Sequence, residues 1–370
     1  MTTPIGLSAP WIETREEELV LEVLRSGSLS LGPMVGRFEQ ALAERVGAAH
    51  IAAVSSGTAG LHLTVRLAGI GPGDEVVTTP FSFVSSTNCI LYEGATPVFA
   101  DVDPRTLNLD PAADEAAITP RTKAILAVHI FGYPAELAEL EAIAERNGLA
   151  LVEDACEALG ARYRGRPIGS FGHPAVFGFY PNKQVTTGEG GAIAVSSEEE
   201  WAVLKSLSNQ GRRDSREWLT YARLGYNYRL TDISAALGLA QVERLDEILE
   251  ARAAVAARYT ELLSSLERIE PPLADDEDHV RSWFVYAVRV TDGIDRDAVM
   301  TRLGEEGIAT KAYLPAIHLQ PYYRERFGDL KGLCPAAEDA SSRSIALPFH
   351  ARLPAGDQER VVEALARALG

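Results

Sequence analysis

The sequence predicts an α/β fold: a large domain with a mainly parallel sheet covered by helices, then a smaller C-terminal α+β domain. Short apolar runs alternate with amphipathic stretches in the first half of the chain, the pattern of strands joined by helices. Helical periodicity at residues 61–67 and 136–146 favours parallel pairing of the flanking strands. We expect strands at residues 51–54, 75–79, 97–102, 124–131, 149–152, 175–179 and 192–195.

The large domain is predicted to span residues 1–240, including an N-terminal helix and a loop, and the small domain residues 241–370. An Ala- and Leu-rich stretch predicts one long connecting helix over residues 231–266, capped at Thr231-Asp232. The other predicted elements are the helix 13–25, the loop 26–36, the linker 271–278, a strand at 283–290, and helices near 296–306 and 357–369.

Composition narrows the class of protein. The chain is 46% hydrophobic and 24% charged, as in soluble globular proteins, and its formal net charge is −17. Proteins that bind nucleic acid or anionic membranes generally carry the opposite charge. The acidic N-terminal segment, the absence of a long apolar run and three unpaired cysteines predict a cytoplasmic protein without a metal site or membrane span.

One short stretch concentrates positive charge in this acidic chain. It contains five arginines, namely Arg212, Arg213, Arg216, Arg223 and Arg229. Such a cluster could contact an anionic ligand. Asp214 and Glu217 lie among these arginines, so a solvated face of mixed charge is the alternative.

Two motifs follow predicted strands of the large domain. Ser55–Gly60 leads from a strand into a helix, where small residues and free N–H groups suit a phosphate, although turn geometry alone also favours Gly and Ser. The segment Pro80-Phe81-Ser82-Phe83 ends the next strand. An aromatic ring there could stack on a planar ligand, and core packing is the alternative for both phenylalanines.

Two further motifs carry charged groups into apolar surroundings. Asp154 ends an apolar strand, where its carboxylate could pair with a pyridinium N–H; capping of a following helix is the alternative. Lys183 lies in an aromatic, glycine-rich loop between two apolar runs. Lysine is seldom placed there for solubility, so a reactive amine is indicated, with a snorkelling side chain as the alternative. In chain order the four motifs suggest a phosphate cradle, a ring stack, a pyridinium partner and a Schiff-base lysine.

At these residues the chain resembles the DegT/StrS family of fold-type I, pyridoxal 5′-phosphate (PLP)-dependent nucleotide-sugar aminotransferases. The resemblance extends almost from end to end. Its motifs are Pro10-Trp11, Ser28–Gly32 with Phe38-Glu39, Ser56–His62, Gly73–Val77, Glu153-Asp154-Ala155, Lys183 with Thr187–Gly191, and Gly225–Asp232.

The resemblance implies a role for individual residues. Lys183 would form the Schiff base with PLP and then act as general acid and base, and Asp154 would pair with the pyridinium nitrogen. Phe83 would stack on the ring, while Gly57 and Thr58 would hold the phosphate. Asn227 would reach the phosphate from a partner subunit, which implies a homodimer with shared active sites. Arg229 and His318 would contact the substrate's sugar or diphosphate.

The chain departs from its relatives at two positions of this site. Many relatives carry a serine at the place of Gly178, whose hydroxyl contacts the phosphate, so another group or a water must replace it here. Relatives often have Gln or His at the place of Glu157, near the cofactor's 3-hydroxyl oxygen. A glutamate there would repel a phenolate unless it were protonated or turned away. His62, on the helix after the phosphate motif, is interpreted as a core residue.

The motif around Lys183 resembles that of enzymes that aminate a 4-keto-6-deoxy sugar nucleotide with glutamate as the donor, in deoxyamino-sugar, polysaccharide or antibiotic biosynthesis. Amination at a 3-keto position is the alternative, and relatives of that kind more often show a Gly-Asp-Gly-Gly variant of the motif. A keto-cyclitol substrate within the same fold is one alternative. A PLP-dependent dehydratase is less consistent, since such relatives usually replace the lysine with histidine. A non-catalytic regulatory protein is the remaining class, and the combination of Lys183, Asp154 and Asn227 argues against it.

Overall fold

The computed structural model describes residues 3–212 and 220–370. Its strands are β1 His50–Val54, β2 Glu75–Thr78, β3 Thr96–Phe99, β4 Thr122–Val128, β5 Ala150–Asp154, β6 Arg162–Tyr163, β7 Arg166–Pro167, β8 Ala175–Gly178, β9 Gly191–Val195, β10 Ile269–Glu270, β11 His279–Val280, β12 Tyr286–Val290, β13 Lys311–Ala312 and β14 Ser344–Leu347.

Its α-helices are α1 Thr14–Ser26, α2 Pro33–Val46, α3 Gly57–Leu67, α4 Ser85–Tyr92, α5 Pro111–Ala117, α6 Leu137–Asn147, α7 Glu198–Ser208, α8 Asp232–Glu243, α9 Leu245–Leu263, α10 Arg296–Glu305, α11 Pro321–Phe327, α12 Pro335–Arg343 and α13 Ala355–Leu369. Two 3₁₀ turns lie at Ile130–Gly132 and Ile317–Leu319. Every described helix is too short or too polar to cross a lipid bilayer.

The central sheet has seven strands in the order β1-β9-β8-β5-β4-β2-β3. All pairings among β8, β5, β4, β2 and β3 are parallel, and β9 is antiparallel to both of its neighbours. Each of the seven predicted strands is therefore present, and the prediction of a mainly parallel sheet is confirmed. The carboxyl ends of the parallel strands meet at one edge, where ligand sites of such folds form.

Helices cover both faces of this sheet. Along β4, Leu126 packs into the cluster that contains Val152 and Val176, whereas its neighbour Ile125 packs with Leu151 on the other face. Side chains alternate between the faces of a strand, so burial of both sets explains the nearly continuous apolar runs in the sequence. The sheet is thus a rigid support for the loops that follow its strands.

A second, four-stranded sheet follows in the C-terminal part, in the order β10-β12-β14-β13. All its pairings are antiparallel, and α10 and α13 contribute to the same core, as Leu303 and Leu365 show. The predicted C-terminal α+β architecture is present. Ile5 pairs with Ile308 and packs into this second core, so this residue lies against the C-terminal part. The boundary between residues 240 and 241 stays a prediction.

The expected single helix over residues 231–266 is two helices, α8 and α9, and that prediction was wrong. The helix is interrupted at Arg244, whose backbone is not helical (φ −115°, ψ 23°). Its guanidinium lies 4.2 Å from the centre of the Trp11 ring and 3.4 Å from Glu16 Oε1. Contacts with the N-terminal segment accompany the break, and helical periodicity does not reveal them.

Two smaller boundaries also differ from prediction. Strand β12 begins at Tyr286 and not at residue 283. The Arg252 guanidinium donates hydrogen bonds to the backbone carbonyls of Trp283 and Phe284 at 2.6 and 2.8 Å, so these carbonyls are not available for strand pairing. The predicted loop 26–36 ends early, since α2 begins at Pro33. The Asp232 carboxylate caps α2 from 200 residues away, accepting the Gly32 N–H at 2.7 Å.

Candidate active site

A cleft of about 500 Å³ opens at the carboxyl-end edge of the central sheet and is lined by all four predicted motifs. Its walls come from the loops after β1, β2, β5 and β8 and from the end of β4, with one contribution from the C-terminal part. The lining residues are Ser56, Gly57, Thr58, Leu61, Ser82, Phe83, Ser85, Val128, Asp154, Cys156, Glu157, Gly178, Phe179, Tyr180, Asn182, Lys183, Glu189, Gly190, Tyr313 and Leu314.

Asp154 ends β5 and brings a buried carboxylate to this cleft. Its Oδ2 accepts the Ser86 hydroxyl at 2.6 Å, and its Oδ1 accepts the Cys156 N–H at 3.1 Å. Ser86 in turn lies 2.7 Å from the Ser82 hydroxyl. The segment between Asp154 and strand β6 is not helical, so the capping alternative is wrong. Within residues 3–212 and 220–370 no cation pairs with this carboxylate, and burial of a carboxylate without a cationic partner is costly.

The start of α3 forms one end of the cleft. Ser56 caps the helix by accepting the Ala59 N–H at 3.1 Å, which leaves Gly57 and Thr58 in the first turn. A Cβ at Gly57 would lie 2.7 Å from Cys156 Sγ, so the close approach of this sulfur requires glycine. Helix N-termini present free N–H groups and a positive dipole end, the features that bind phosphate.

The two phenylalanines after β2 have different roles. Phe81 is fully buried and packs edge-on against Phe131, with ring centres 5.9 Å apart, which confirms the core interpretation for that residue. Phe83 is 60% exposed although it lies beside the cleft, and the core alternative is wrong for it. An exposed ring at a cleft wall is a free surface on which a planar ligand can stack.

Lys183 directs its amine into the cleft. The Nζ atom lies 3.9 Å from the centre of the Phe284 ring and 3.4 Å from Glu157 Oε1, and only 14% of the side chain is exposed. This placement excludes the snorkelling alternative. The loop that carries Lys183 is anchored by Gln184, whose side-chain amide donates to the Glu157 carbonyl at 2.6 Å.

Glu157 is the carboxylate nearest to the lysine. Its Oε2 accepts the Phe131 N–H at 2.9 Å. Burial raises the pKa of the Glu157 carboxyl above its ordinary value, and the Lys183 ammonium and the Phe131 N–H oppose this shift. A raised pKa is what a carboxyl near a phenolate oxygen requires if it is to donate a hydrogen bond.

Asn227 and Arg229 do not line this cleft. Asn227 is exposed, and Arg229 donates to the side-chain oxygens of Asn209 and Gln210 at 2.9 and 2.7 Å. Arg229 lines a second cleft of about 470 Å³ together with Lys205 and Arg212. Arg223 is exposed, whereas Arg213, Asp214, Arg216 and Glu217 lie outside the described residues.

His318 is not brought to the cleft either. It is fully buried in the second 3₁₀ turn, its Nε2 lies 2.9 Å from Glu338 Oε1, and its ring contacts that of Phe99. A side chain enclosed in this way offers no surface to a substrate. We therefore omit His318 from the proposed site.

His62 is a buried residue with a partner at each ring nitrogen. Nε2 lies 2.7 Å from Glu93 Oε1, and Nδ1 lies 3.2 Å from the Tyr228 hydroxyl. Burial lowers the pKa of this imidazole. The interpretation of His62 as a core residue is confirmed.

Sequence reasoning missed several residues of the site. Ser82, Ser85 and Cys156 line the cleft, Ser86 holds Asp154, and Phe284 and Tyr313 arrive from the C-terminal part. The sequence signals for the three serines were the position of Ser82 inside the Pro80–Phe83 motif and the hydroxyl run Ser85-Ser86-Thr87 that follows Val84. The sequence around Phe284 and around Tyr313 contains no signal that places these residues at the cleft.

The residues present fit PLP. The buried Asp154 carboxylate, which has no cationic partner among the described residues, suits a protonated ring nitrogen. The α3 N-terminus, where Cys156 leaves no room for a side chain at Gly57, suits a phosphate. The Lys183 amine lies in the same cleft and suits the aldehyde carbon. Phe83 adds an exposed ring surface at the wall.

Known proteins match the chain along almost its whole length. The profile of the DegT/DnrJ/EryC1/StrS aminotransferase family matches residues 10–366. GDP-perosamine synthase from Caulobacter vibrioides is 40% identical over 371 residues, covering 99% of this chain and 98% of that protein. Among solved structures, DesV from S. venezuelae superposes with a TM-score of 0.92 at 34% identity, covering 99% and 98% of the two chains.

The PLP form of Spr1654 from Streptococcus pneumoniae superposes with a TM-score of 0.94 at 28% identity, covering 99% of this chain and 98% of that chain. These likenesses confirm the predicted fold of PLP-dependent aminotransferases. The profile match and the 40% identity to a full-length relative both extend over the cleft and its supporting sheet. The chain therefore belongs to the DegT/DnrJ/EryC1/StrS aminotransferase family.

Proposed function

We propose that this aminotransferase uses PLP bound at Lys183 to transfer the amine of glutamate to a keto group of a nucleotide-linked sugar, most specifically a 4-keto-6-deoxy sugar. The observation that carries the proposal is the convergence of the Lys183 amine, the Asp154 carboxylate and the α3 N-terminus in one cleft. The relative named GDP-perosamine synthase supports a nucleotide sugar as substrate.

The roles of the residues follow from their positions. When bound, PLP supplies an electron sink for bond cleavage at the amino carbon. The Asp154 carboxylate holds the proton on the ring nitrogen, and Ser86 keeps that carboxylate oriented. Gly57 and Thr58 bind the phosphate, and Phe83 packs on the ring face. Lys183 would hold the cofactor through its Nζ atom, and its amine, when free, would serve as the general acid and base that moves the proton.

The complete site requires a second copy of the chain. Among the described residues no arginine lines the Lys183 cleft, yet a nucleoside diphosphate brings at least two negative charges that need cationic partners. Asn227 is exposed, and Arg229 lies two residues further along the same segment. We propose that this segment of the partner subunit completes the site, with Asn227 at the phosphate and Arg229 at the substrate's diphosphate. The enzyme would then be a cytoplasmic homodimer.

Absorbance spectroscopy tests the proposal. The protein reconstituted with PLP is expected to show the Schiff-base band, and glutamate is expected to replace it with the spectrum of pyridoxamine phosphate while 2-oxoglutarate accumulates. A panel of keto sugar nucleotides and keto-cyclitols, added to the pyridoxamine form, then identifies the acceptor. A protein that binds PLP but is not converted by glutamate would contradict the donor assignment.

A further inference from the structure

Two helices begin at the same end of the cleft. Helix α3 brings Gly57 and Thr58 in its first turn, and α4 begins at Ser85, which lines the cleft beside them. Ser85 is only 7% exposed, so its hydroxyl requires a hydrogen-bond partner. That partner is Thr58, with 2.7 Å between the two hydroxyl oxygens.

The number of hydroxyl protons on Ser85 and Thr58 determines how many hydrogen bonds the pair can donate to a ligand. Each hydroxyl has one proton, and one of the two protons is used in the bond between Ser85 and Thr58. Neither hydroxyl has another side-chain or backbone partner among residues 3–212 and 220–370. One O–H therefore remains free to donate to an anion at the α3 N-terminus, and the bond to the other hydroxyl restricts the directions in which it can point.

The neighbouring wall of the cradle cannot supply this donor. A Cβ at Gly178 would lie 3.3 Å from both Cβ and Sγ of Cys156, a separation at which a serine would crowd that side chain. The Ser82 hydroxyl is directed to Ser86 and from there to Asp154, away from the phosphate end. The pair of Ser85 and Thr58 is thus separate from the hydroxyl chain that serves the ring nitrogen.

We propose that Ser85 is a positioning residue of the cofactor-phosphate site. Its hydroxyl donates to Thr58 Oγ1, so that the Thr58 O–H points to the phosphate and replaces the donor that Gly178 lacks. This inference rests on the proposed use of PLP. Hydrogen bonds to charged groups are stronger than neutral ones, so loss of the Ser85 hydroxyl weakens the hold on the phosphate in particular.

The test compares Ser85→Ala with Ser86→Ala as the matched control, because each variant loses one buried hydroxyl from the same segment. The probe is pyridoxamine 5′-phosphate, which forms no Schiff base with lysine. Its dissociation constant is measured by calorimetry on the full-length apoprotein, and the bound phosphate is observed by phosphorus NMR. Ser85→Ala is expected to raise the dissociation constant roughly 10-fold and to move the phosphorus resonance.

Ser86→Ala acts at the ring nitrogen, so it is expected to weaken binding without moving the phosphorus resonance. The inference is overturned if Ser85→Ala leaves the dissociation constant within about two-fold of wild type. It is equally overturned if the variant weakens binding with an unmoved resonance, as the control does. Failure of wild-type protein to bind pyridoxamine 5′-phosphate would instead contradict the proposed function.

Discussion

Lys183 and Glu157 form a pair inside the cleft, with Nζ 3.4 Å from Oε1. The second oxygen of Glu157 accepts the backbone N–H of Phe131, a residue with a left-handed backbone (φ 54°). One carboxyl group therefore contacts the Lys183 amine and also holds the turn that follows β4. Substitutions of Glu157 separate these two contacts.

Glu157→Gln keeps an acceptor for the Phe131 N–H, whereas Glu157→Ala leaves that buried N–H unpaired. Both variants lose the ion pair with the Lys183 ammonium, so the difference between them reports the backbone hydrogen bond together with the packing of the longer side chain. We expect the alanine variant to unfold with a free energy about 1–3 kcal/mol lower than the glutamine variant. Urea denaturation of the apoproteins measures this difference in the free energy of unfolding. Equal stabilities would show that the Phe131 N–H finds another acceptor.

Gly178→Ser introduces the hydroxyl that the family resemblance led us to expect at this position. Because the new Cβ would lie 3.3 Å from Cys156 Cβ and Sγ, we expect overpacking to lower the free energy of unfolding by about 1–3 kcal/mol. In the double variant Cys156→Ala/Gly178→Ser the crowding sulfur is gone, so the loss should be smaller than the sum of the single effects. Additivity within about 0.5 kcal/mol in a double-mutant cycle would mean that the two positions do not interact.

Subunit mixing tests whether Asn227 acts on the partner's site. Lys183→Ala and Asn227→Ala should each have little activity alone. A mixed dimer, however, pairs the Lys183 of one chain with the Asn227 of the other and so contains one complete site. Random mixing should restore about a quarter of the wild-type activity, because about half of the dimers are mixed and each has one intact site of two. If Asn227 acts within its own chain, mixing restores nothing.

Because of the buried carboxyl group of Asp114, we expect the free energy of unfolding to fall as the pH rises. The side chain is fully buried in α5, and neither carboxylate oxygen has a hydrogen-bond partner among the described residues. Burial raises the pKa of Asp114 from 3.8 to about 7. The folded state thus favours the protonated form, and the stability this gives below the unfolded pKa is lost progressively as the pH rises toward 7.

Asp114→Asn removes this ionisation. We expect the variant to exceed wild type in stability at pH 8 by up to about 4 kcal/mol, and to lose the part of the pH dependence between about pH 4 and pH 7 that Asp114 causes. Thermal denaturation of both proteins across that range measures it. Parallel pH profiles for the two proteins would show that the Asp114 carboxyl titrates normally.

The sequence predicted the elements whose causes are local. All seven sheet strands were recognisable because burial on both faces produces uninterrupted apolar runs, and Asp154 and Lys183 stood out because charged residues are rare in such surroundings. Gly57 was recognisable as the start of a helix after a strand, although the reason that it must be glycine, the sulfur of Cys156, was not.

Contacts between distant segments could not be predicted in this way. The break at Arg244 accompanies contacts with Trp11 and Glu16, and the start of β12 depends on Arg252. The burial of His318 against Glu338 likewise depends on how the C-terminal part folds back on itself. The periodicity of apolar residues indicates only which face of an element is buried, so it does not reveal which distant residues contact that element.

The central claim is that Lys183 carries the cofactor. Borohydride reduction of the PLP-loaded enzyme, followed by peptide mass spectrometry, tests it most directly, because reduction fixes the cofactor on the nitrogen to which it is bound. The account predicts one phosphopyridoxyl group per chain, on the peptide that contains Lys183, and none on that peptide in Lys183→Ala. Stoichiometric labelling of a different lysine, or PLP that is released unreduced, would contradict it.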